Sequence, residues 1–397
     1  MATVLTEAQT PSFERTYAQK SVWLIGICFV LSGATGLIYE VLWARMLGHV
    51  FGATTLAIST VLAAFMGGLA LGSALGGRLA SRIKRPFRAY GVLELAIAIY
   101  AVVVPLLFSL VDNLYAAIWQ QFQPGFFAFS LWRFVLSCLM LLVPTTMMGA
   151  TLPILAAALL RSPAFRSTSV TRLYNCNLFG AILGTLAAGF FLLPTLGVRG
   201  TIYTAALLNV LIALVAIISD REKIVPAEVS KRDGEEDVVV KPLVTKIEEQ
   251  KFWLFAAFVS GFVTISSQVA WTRVLTMIIG SSTYAFSIVV ALFLIGLAAG
   301  AYVVGRSDHS AKLRQAIFKI EIITAFSLVL SIFVINLTPS LLIGLGLKLN
   351  ISSWLGLLAL QVLAAALLVL LPAFLMGTVM PLVLVWASNR TSVASVR

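Results

Sequence analysis

Long apolar runs, separated by short polar or charged segments, make up most of this chain. A helix needs about 20 apolar residues to cross the hydrocarbon core of a bilayer. Runs of roughly that length or longer lie at 21–42, 53–77, 89–111, 126–148, 173–195, 199–219, 252–272, 281–304, 316–337 and 353–384. The pattern therefore predicts an all-α integral membrane protein with about ten transmembrane helices.

The apolar pattern repeats at an offset of 228 residues, so that Trp43 aligns with Trp271 and Phe65 with Phe293. Between positions 32 and 78, 19 of 47 ungapped pairs are identical. Repeats of whole membrane segments usually form two bundles around a pseudo-twofold axis, with a binding site between them. Because each half has an even number of predicted spans, we expect two parallel repeats related by an axis along the membrane normal.

The pattern divides the chain into four parts. We expect a cytoplasmic N-terminal segment at 1–20, a first six-helix repeat at 21–219, a charged cytoplasmic linker at 220–251, and a second repeat at 252–397. Counterparts of the fifth and sixth spans would need residues beyond 397. The second repeat is therefore predicted to be incomplete, either in a natural ten-span protein or, as we favour, in a chain that is truncated.

Composition and charge agree with a membrane protein. The chain is 60% hydrophobic and 11% charged, with a mean hydropathy of +1.00, which requires lipid as the solvent. The net charge of +12 does not indicate nucleic-acid binding, because the basic residues are distributed over alternate loops, mainly 78–88, 161–172 and 306–314. By the positive-inside rule, both termini and the linker are expected in the cytoplasm. The linker is interpreted as a solvated tether or, alternatively, as a regulatory docking segment.

Charged residues within the apolar runs are the candidates for a site, because an ionisable group in a membrane span is usually paired or functional. Glu40 and Arg133 lie near the outer ends of the first and fourth spans, and their repeat counterparts are Gln268 and Gln361. If these four spans face a common cavity, the residues form a substrate-binding or proton-coupling site. A buried ion pair between Glu40 and Arg133 is the alternative.

Two further sets of residues have more than one interpretation. Tyr39 and Trp43, one helical turn apart, are predicted either to stack over a ligand or to anchor the helix at the membrane interface. Glu94 and Glu321 are repeat counterparts if one loop residue is deleted, and each lies a turn or so into a span that follows a basic cytoplasmic loop. They are predicted to form structural charge clamps with Arg78 and Arg306, with proton coupling as the alternative.

No cofactor, metal site or catalytic residue is predicted. The sequence contains no Walker loop and no soluble βαβ unit, and its three cysteines fit no metal or disulfide spacing. These 397 residues show no catalytic domain, so an enzymatic activity is expected only together with a domain outside them.

Residues 76–82, with the sequence GGRLASR, resemble the loop between helices two and three of major facilitator (MFS) transporters, which usually has an aspartate where Ser81 stands. A closer resemblance, over nearly all of 20–397, is to the membrane domain of the bacterial fused MFS-like/spermidine synthase family. The segments that carry it are 32–33, 37–45, 65–72 and 144–153, with Asn175, Gly180 and Gly184.

This resemblance implies a multi-pass protein of the bacterial inner (plasma) membrane with a link to polyamines. The sequence and the resemblance together predict a transporter-like protein for polyamines or related small polar metabolites, working by alternating access between two repeats. The alternative is the membrane domain of a spermidine synthase-like aminopropyltransferase, whose catalytic domain is absent from this chain. The expected partners are the lipid bilayer, an unidentified small molecule and a cytoplasmic catalytic domain or partner, but no nucleic acid.

Overall fold

The structure is a computed structural model that describes residues 13–16, 19–51, 55–123, 125–160, 169–220, 223–226, 247–280, 283–305, 313–384 and 386. Nearly all of this is helical. The helices are α1 (Gln19–Phe51), α2 (Thr55–Ala80), α3 (Pro86–Phe122), α4 (Phe126–Leu160), α5 (Ser169–Ala187), α6 (Leu193–Ile218), α7 (Ile247–Ile279), α8 (Thr283–Gly305), α9 (Leu313–Lys348) and α10 (Trp354–Gly377).

Within the described residues, nine helical stretches are long and apolar enough to cross a membrane. One of them, Arg172–Ile218, includes both α5 and α6, which a π-helical turn at Ala188–Leu192 connects. The helix is interrupted at Gly197, whose φ of 66° and ψ of −174° are not helical. Glycine adopts this positive φ without the steric cost that a Cβ would impose. The protein is therefore a helical, multi-pass membrane protein.

A short antiparallel strand pair, absent from the prediction, joins the two ends of the first half. Strand β1 (Phe13–Thr16) pairs with β2 (Lys223–Pro226) in a register that places Phe13 opposite Pro226. This pairing holds the start of α1 and the end of α6 on the same side of the bundle. Residues 223–226, which the sequence assigns to the solvated linker, are therefore in a strand. Helix α7 also begins inside that predicted linker, at Ile247, and residues 221–222 and 227–246 lie outside the described residues.

Glycines allow α1 and α5 to pack closely. A Cβ at Gly180 would overlap the backbone of Val30, and one at Gly184 would overlap the backbone of Ala34. Such small-residue faces let membrane helices approach until their backbones touch. Because the contacts advance along both helices in the same order, α1 and α5 are parallel.

Helix α3 is parallel to α1 and antiparallel to α6. Along the first interface, Tyr90 contacts Cys28 and Glu94 contacts Ser32, so the two helices advance together. Along the second, Gly91 contacts Ala213 while Glu94 contacts Asn209, so the order is reversed. The chain therefore reverses direction between α5 and α6, where Gly197 breaks the helix.

The parallel pair α2–α4 recurs as α8–α10 with the same contacts 228 residues later. A Cβ at Gly149 would overlap the carbonyl oxygen of Leu69, and a Cβ at Gly377 would overlap that of Leu297. The aromatic contacts recur as well. The rings of Trp43 and Phe65 lie 6.2 Å apart at 57°, and those of their counterparts Trp271 and Phe293 lie 6.2 Å apart at 58°.

The two halves meet mainly through α5 and α8. Leu178 and Ala181 pack there against Val290 and Leu294 in a small apolar cluster. Helices α2 and α7 also approach each other, and the space beside them contains the cavity described next.

Candidate functional site

A cavity lies between the two halves, at the point where α1 and α2 face α7 and α8. Its lining residues are Glu40, Ala44, Leu62, Gln268, Val269, Thr272 and Phe286. Its internal volume is about 30 Å³, which is room for about two water molecules. The structure thus brings together Glu40 and Gln268, two of the residues that the sequence proposes for a site.

The cavity is lined by repeat counterparts from both halves. Glu40 and Gln268 are 228 residues apart, and so are Ala44 and Thr272. On each helix the two residues are one turn apart and share a face, as residues at i and i+4 do. A pseudo-twofold axis that relates α1 to α7 would therefore pass through or beside this cavity.

The cavity is mainly apolar, with a few polar groups. Glu40, Gln268 and Thr272 are all buried. The Glu40 carboxylate forms no hydrogen bond or ion pair with any residue in the described part of the chain. A carboxylate, an amide oxygen and a hydroxyl provide hydrogen-bond acceptors, and the Phe286 ring adds an electron-rich face. This combination suits a hydrogen-bond donor with positive charge, such as an ammonium group.

Tyr39 and Trp43 do not line this cavity. They are fully buried within the first half, with their rings stacked 5.3 Å apart at 14°. Positions 39 and 43 lie about 100° around the helix from positions 40 and 44, because an α-helix has 3.6 residues per turn. At these two positions the structure therefore has no ring pair open to the cavity and no exposed interfacial anchor.

Arg133 and Gln361, the candidate site residues on the fourth and tenth predicted spans, are also not among the described residues that line the cavity. Gln361 is half-buried on α10, and its Nε2 donates a hydrogen bond of 3.3 Å to the carbonyl oxygen of Ile279, the last residue of α7. Arg133 is part of α4, but its side chain lies outside the described part of the structure. The ion pair between Glu40 and Arg133 therefore stays a prediction.

A hydrogen-bonded network in the first half contains the second buried glutamate. Glu94 is fully buried, and Ser32 Oγ donates to its Oε1 over 2.6 Å. The Nδ2 of Asn209 donates to Oε2, and the Tyr39 hydroxyl donates to Asn209 Oδ1 over 3.1 Å. The network connects α1, α3 and α6, and it satisfies the polar atoms that a membrane interior cannot hydrate.

The clamp expected between Glu94 and Arg78 is not among these contacts. Arg78 is exposed at the end of α2, whereas the Glu94 carboxylate points toward α1 and α6. Helix position explains the difference, since Glu94 lies two turns into α3 and at the level of Ser32. The partner proposed for Glu321, Arg306, lies outside the described residues.

Glu321 has a different environment from Glu94. The Ser260 side chain, the counterpart of Ser32, interacts with the Glu321 carboxyl group. However, Glu321 Oε1 is buried, and no described residue donates a hydrogen bond to it. The first interaction of the Glu94 network therefore recurs in the second half, while the equivalent of the Asn209 interaction does not.

The sequence reasoning missed Asn209, Ser32 and Thr272, because it examined ionisable residues and their counterparts. One signal was available for two of these residues. Asn209 is an amide within the apolar run 199–219, and the Ser32–Gly33 pair recurs as Ser260–Gly261. Uncharged polar residues in spans, and not only charged ones, require hydrogen-bond partners.

Comparison with known proteins does not add a relative. No protein-family model matches the chain, and a search of curated proteins finds no match. Any statement about function therefore rests on the geometry above and on the resemblance carried by the sequence segments 32–33, 37–45, 65–72 and 144–153.

Proposed function

We propose that the chain is a transporter-like membrane protein built from two parallel MFS-like repeats. Residues 1–397 would then cross the bilayer ten times. The repeated contacts of α2–α4 and α8–α10 support the two repeats. Length supports ten crossings, because a straight helix of 47 residues would be about 70 Å long, whereas the hydrocarbon core is about 30 Å thick. The break at Gly197 and the antiparallel packing of α6 on α3 divide this stretch into two spans.

The cavity between the halves is the proposed substrate site. The single observation that supports it most is that Glu40 and Gln268, repeat counterparts on α1 and α7, line the same cavity. In transporters with repeats, binding sites near the interface of the repeats let small rotations of each half expose the site to either side. Here such a movement would open the cavity to alternate sides while the contacts within each half are kept.

The lining favours a small polar cation. Glu40 is the one ionisable group among the described lining residues, and an uncompensated carboxylate in a membrane interior costs several kcal/mol unless it takes up a proton or a cation joins it. Gln268 and Thr272 can accept further hydrogen bonds from an ammonium group. The resemblance to the fused MFS-like/spermidine synthase family narrows the proposal to polyamines or related amines.

Uptake by proteoliposomes tests this function. The purified protein is reconstituted, and entry of radiolabelled putrescine and spermidine is measured against protein-free vesicles. We expect uptake by the wild type and loss of uptake in Glu40→Gln, since the amide keeps the shape of the side chain but removes the charge. Size-exclusion profiles of the two proteins should be identical.

A control elsewhere separates the charge effect from general damage. Thr204→Val removes a hydroxyl that donates to Gly200 O within α6, away from the cavity, and should leave uptake unchanged. Wild-type uptake in Glu40→Gln would refute the role of this carboxylate. Absence of amine uptake by the wild-type protein would refute the proposed substrate class.

A further inference from the structure

The two halves exchange a phenylalanine side chain at one end of their interface. Phe190, in the π-helical turn Ala188–Leu192 of the first half, packs against the main apolar cluster of the second half. Phe286, near the start of α8, packs in turn against the main apolar cluster of the first half. Among the described residues, each is the one side chain that its half contributes to the other half's main cluster. These two rings therefore join the halves at this end.

Two more aromatic side chains extend this contact. The ring of Phe190 lies 5.4 Å from that of Tyr284 at 50°, so the pair crosses the boundary between the halves. Tyr284 in turn meets Trp354 of α10 edge to face, with ring centroids 6.1 Å apart at 79°. The residue of α2 that aligns with Tyr284 is Leu56, so the repeat alone does not account for an aromatic residue here. We call Phe190, Tyr284 and Trp354 the aromatic contact.

The aromatic contact lies between the cavity and one end of the bundle. Phe286 lines the cavity, and Tyr284 is two residues nearer to the start of α8. Helix α1 ends at the same end, because it is parallel to α5. On α1 the cavity residues Glu40 and Ala44 precede the last helical residue, Phe51, by about three and two turns, which places them about 10–17 Å from this end. The loop charges predict that this is the outer end.

The remaining contact between α5 and α8 is aliphatic and lies nearer to the middle of the helices. Leu178 and Ala181 pack there against Val290 and Leu294, which are about 9–15 Å further along α8 than Tyr284. A rotation of the halves about this cluster would therefore move the aromatic contact most. A π-helical turn such as the one that carries Phe190 is rare and is frequently found at functional sites.

We propose that Phe190, Tyr284 and Trp354 form a gate that closes the cavity at the end of the bundle where α8 begins. The gate rests on the proposed function, because it regulates entry to the substrate cavity. While the rings touch, the cavity is closed at this end. Rotation of the halves separates Phe190 from Tyr284 and opens the cavity there. A weaker ring contact shifts the population toward the state that is open at this end and away from the opposite state.

The access of a reagent to the cavity from each side of the membrane tests the gate without any transport measurement. Thr272→Cys, in a chain whose Cys28, Cys138 and Cys176 are replaced by alanine, is labelled with a membrane-impermeant maleimide in right-side-out and in inside-out vesicles. In Phe190→Ala the ratio of the outside rate to the inside rate should rise about tenfold, equivalent to about 1.4 kcal/mol between the two states. Phe190→Leu, which keeps apolar bulk without the ring, should give a smaller rise.

Phe191→Ala is the matched control, because Phe191 is the next residue of the same π-helical turn and its side chain is 68% exposed. It should leave the ratio of labelling rates unchanged. Tyr284→Ala removes the other side of the ring pair and should reproduce Phe190→Ala, so the test does not depend on the folding of one variant.

An unchanged ratio in Phe190→Ala and Tyr284→Ala would refute the gate. A rise of both labelling rates by the same factor would also refute it, because general loosening of the bundle has no sidedness. An equal shift in Phe191→Ala would contradict the role of the ring pair. Amine uptake is a separate readout: a shifted ratio in a protein that takes up no amine would refute the proposed substrate and leave the gate in place.

Discussion

Removal of the Asn209 side chain tests the buried network most sharply. In Asn209→Leu two polar groups lose their Asn209 partner: Glu94 Oε2 loses a donor, and the Tyr39 hydroxyl loses its acceptor. Leucine is branched at the same carbon as asparagine but is larger, so overpacking at this buried position adds to the loss of stability. The double-mutant cycle with Glu94 isolates the part that is due to hydrogen bonding.

The expected magnitude follows from these two groups. A hydrogen bond between membrane helices contributes about 0.6–2 kcal/mol. A buried polar group left without a partner costs about 1–3 kcal/mol. Two such groups, one of them a carboxylate, predict that Asn209→Leu lowers the free energy of unfolding by about 2–4 kcal/mol.

Equilibrium unfolding in mixed micelles of dodecylmaltoside and SDS, followed by tryptophan fluorescence, measures this value. Thr204→Val on the same helix removes a hydroxyl that bonds only to the backbone of its own helix, and it should cost less than about 0.5 kcal/mol. A double-mutant cycle with Glu94→Leu should give a coupling of about 1–3 kcal/mol. If Asn209→Leu is within about 0.5 kcal/mol of the wild type, the network does not hold α1, α3 and α6 together.

Two other predictions concern the repeat and the cavity. Gly149→Val and Gly377→Val should each lower the free energy of unfolding by about 1–3 kcal/mol, because each would force apart a helix pair whose backbones touch. Gly77→Val adds a side chain in open space and should leave stability unchanged in the same unfolding assay. Equal effects at all three glycines would contradict this packing. Gln268→Leu should abolish amine uptake by proteoliposomes while Gln361→Leu retains it, since only the former lines the cavity; the opposite result would move the site toward α10.

Much of the fold could be predicted from apolar run length and from the 228-residue repeat. The repeat identities were sufficient to align Trp43 with Trp271 and Leu69 with Leu297, and the structure has the same ring and backbone contacts at both places. Helix bounds were less accurate. The helices extend past the apolar runs, as α3 does to Phe122, because polar residues at helix ends continue the backbone hydrogen bonding.

The candidate site was only partly predictable. Repeat position was sufficient to select Glu40 and Gln268, because equivalent residues near a pseudo-axis lie close to each other. The direction in which a side chain points depends on helix rotation, and a shift of one residue turns Tyr39 away from the cavity. The partners of Glu94 depend on the depth at which α6 packs, and no sequence pattern gave the level of Asn209.

Labelling of a single cysteine in the cavity tests the central claim most directly. After Cys28, Cys138 and Cys176 are replaced by alanine, Thr272→Cys is exposed to a membrane-impermeant maleimide in right-side-out and in inside-out vesicles. An alternating cavity predicts labelling from both sides, slowed by putrescine, while the lipid-facing Leu207→Cys is not labelled from either side. Labelling of Thr272→Cys from one side only, or at a rate that putrescine does not change, would contradict a substrate cavity between the two halves.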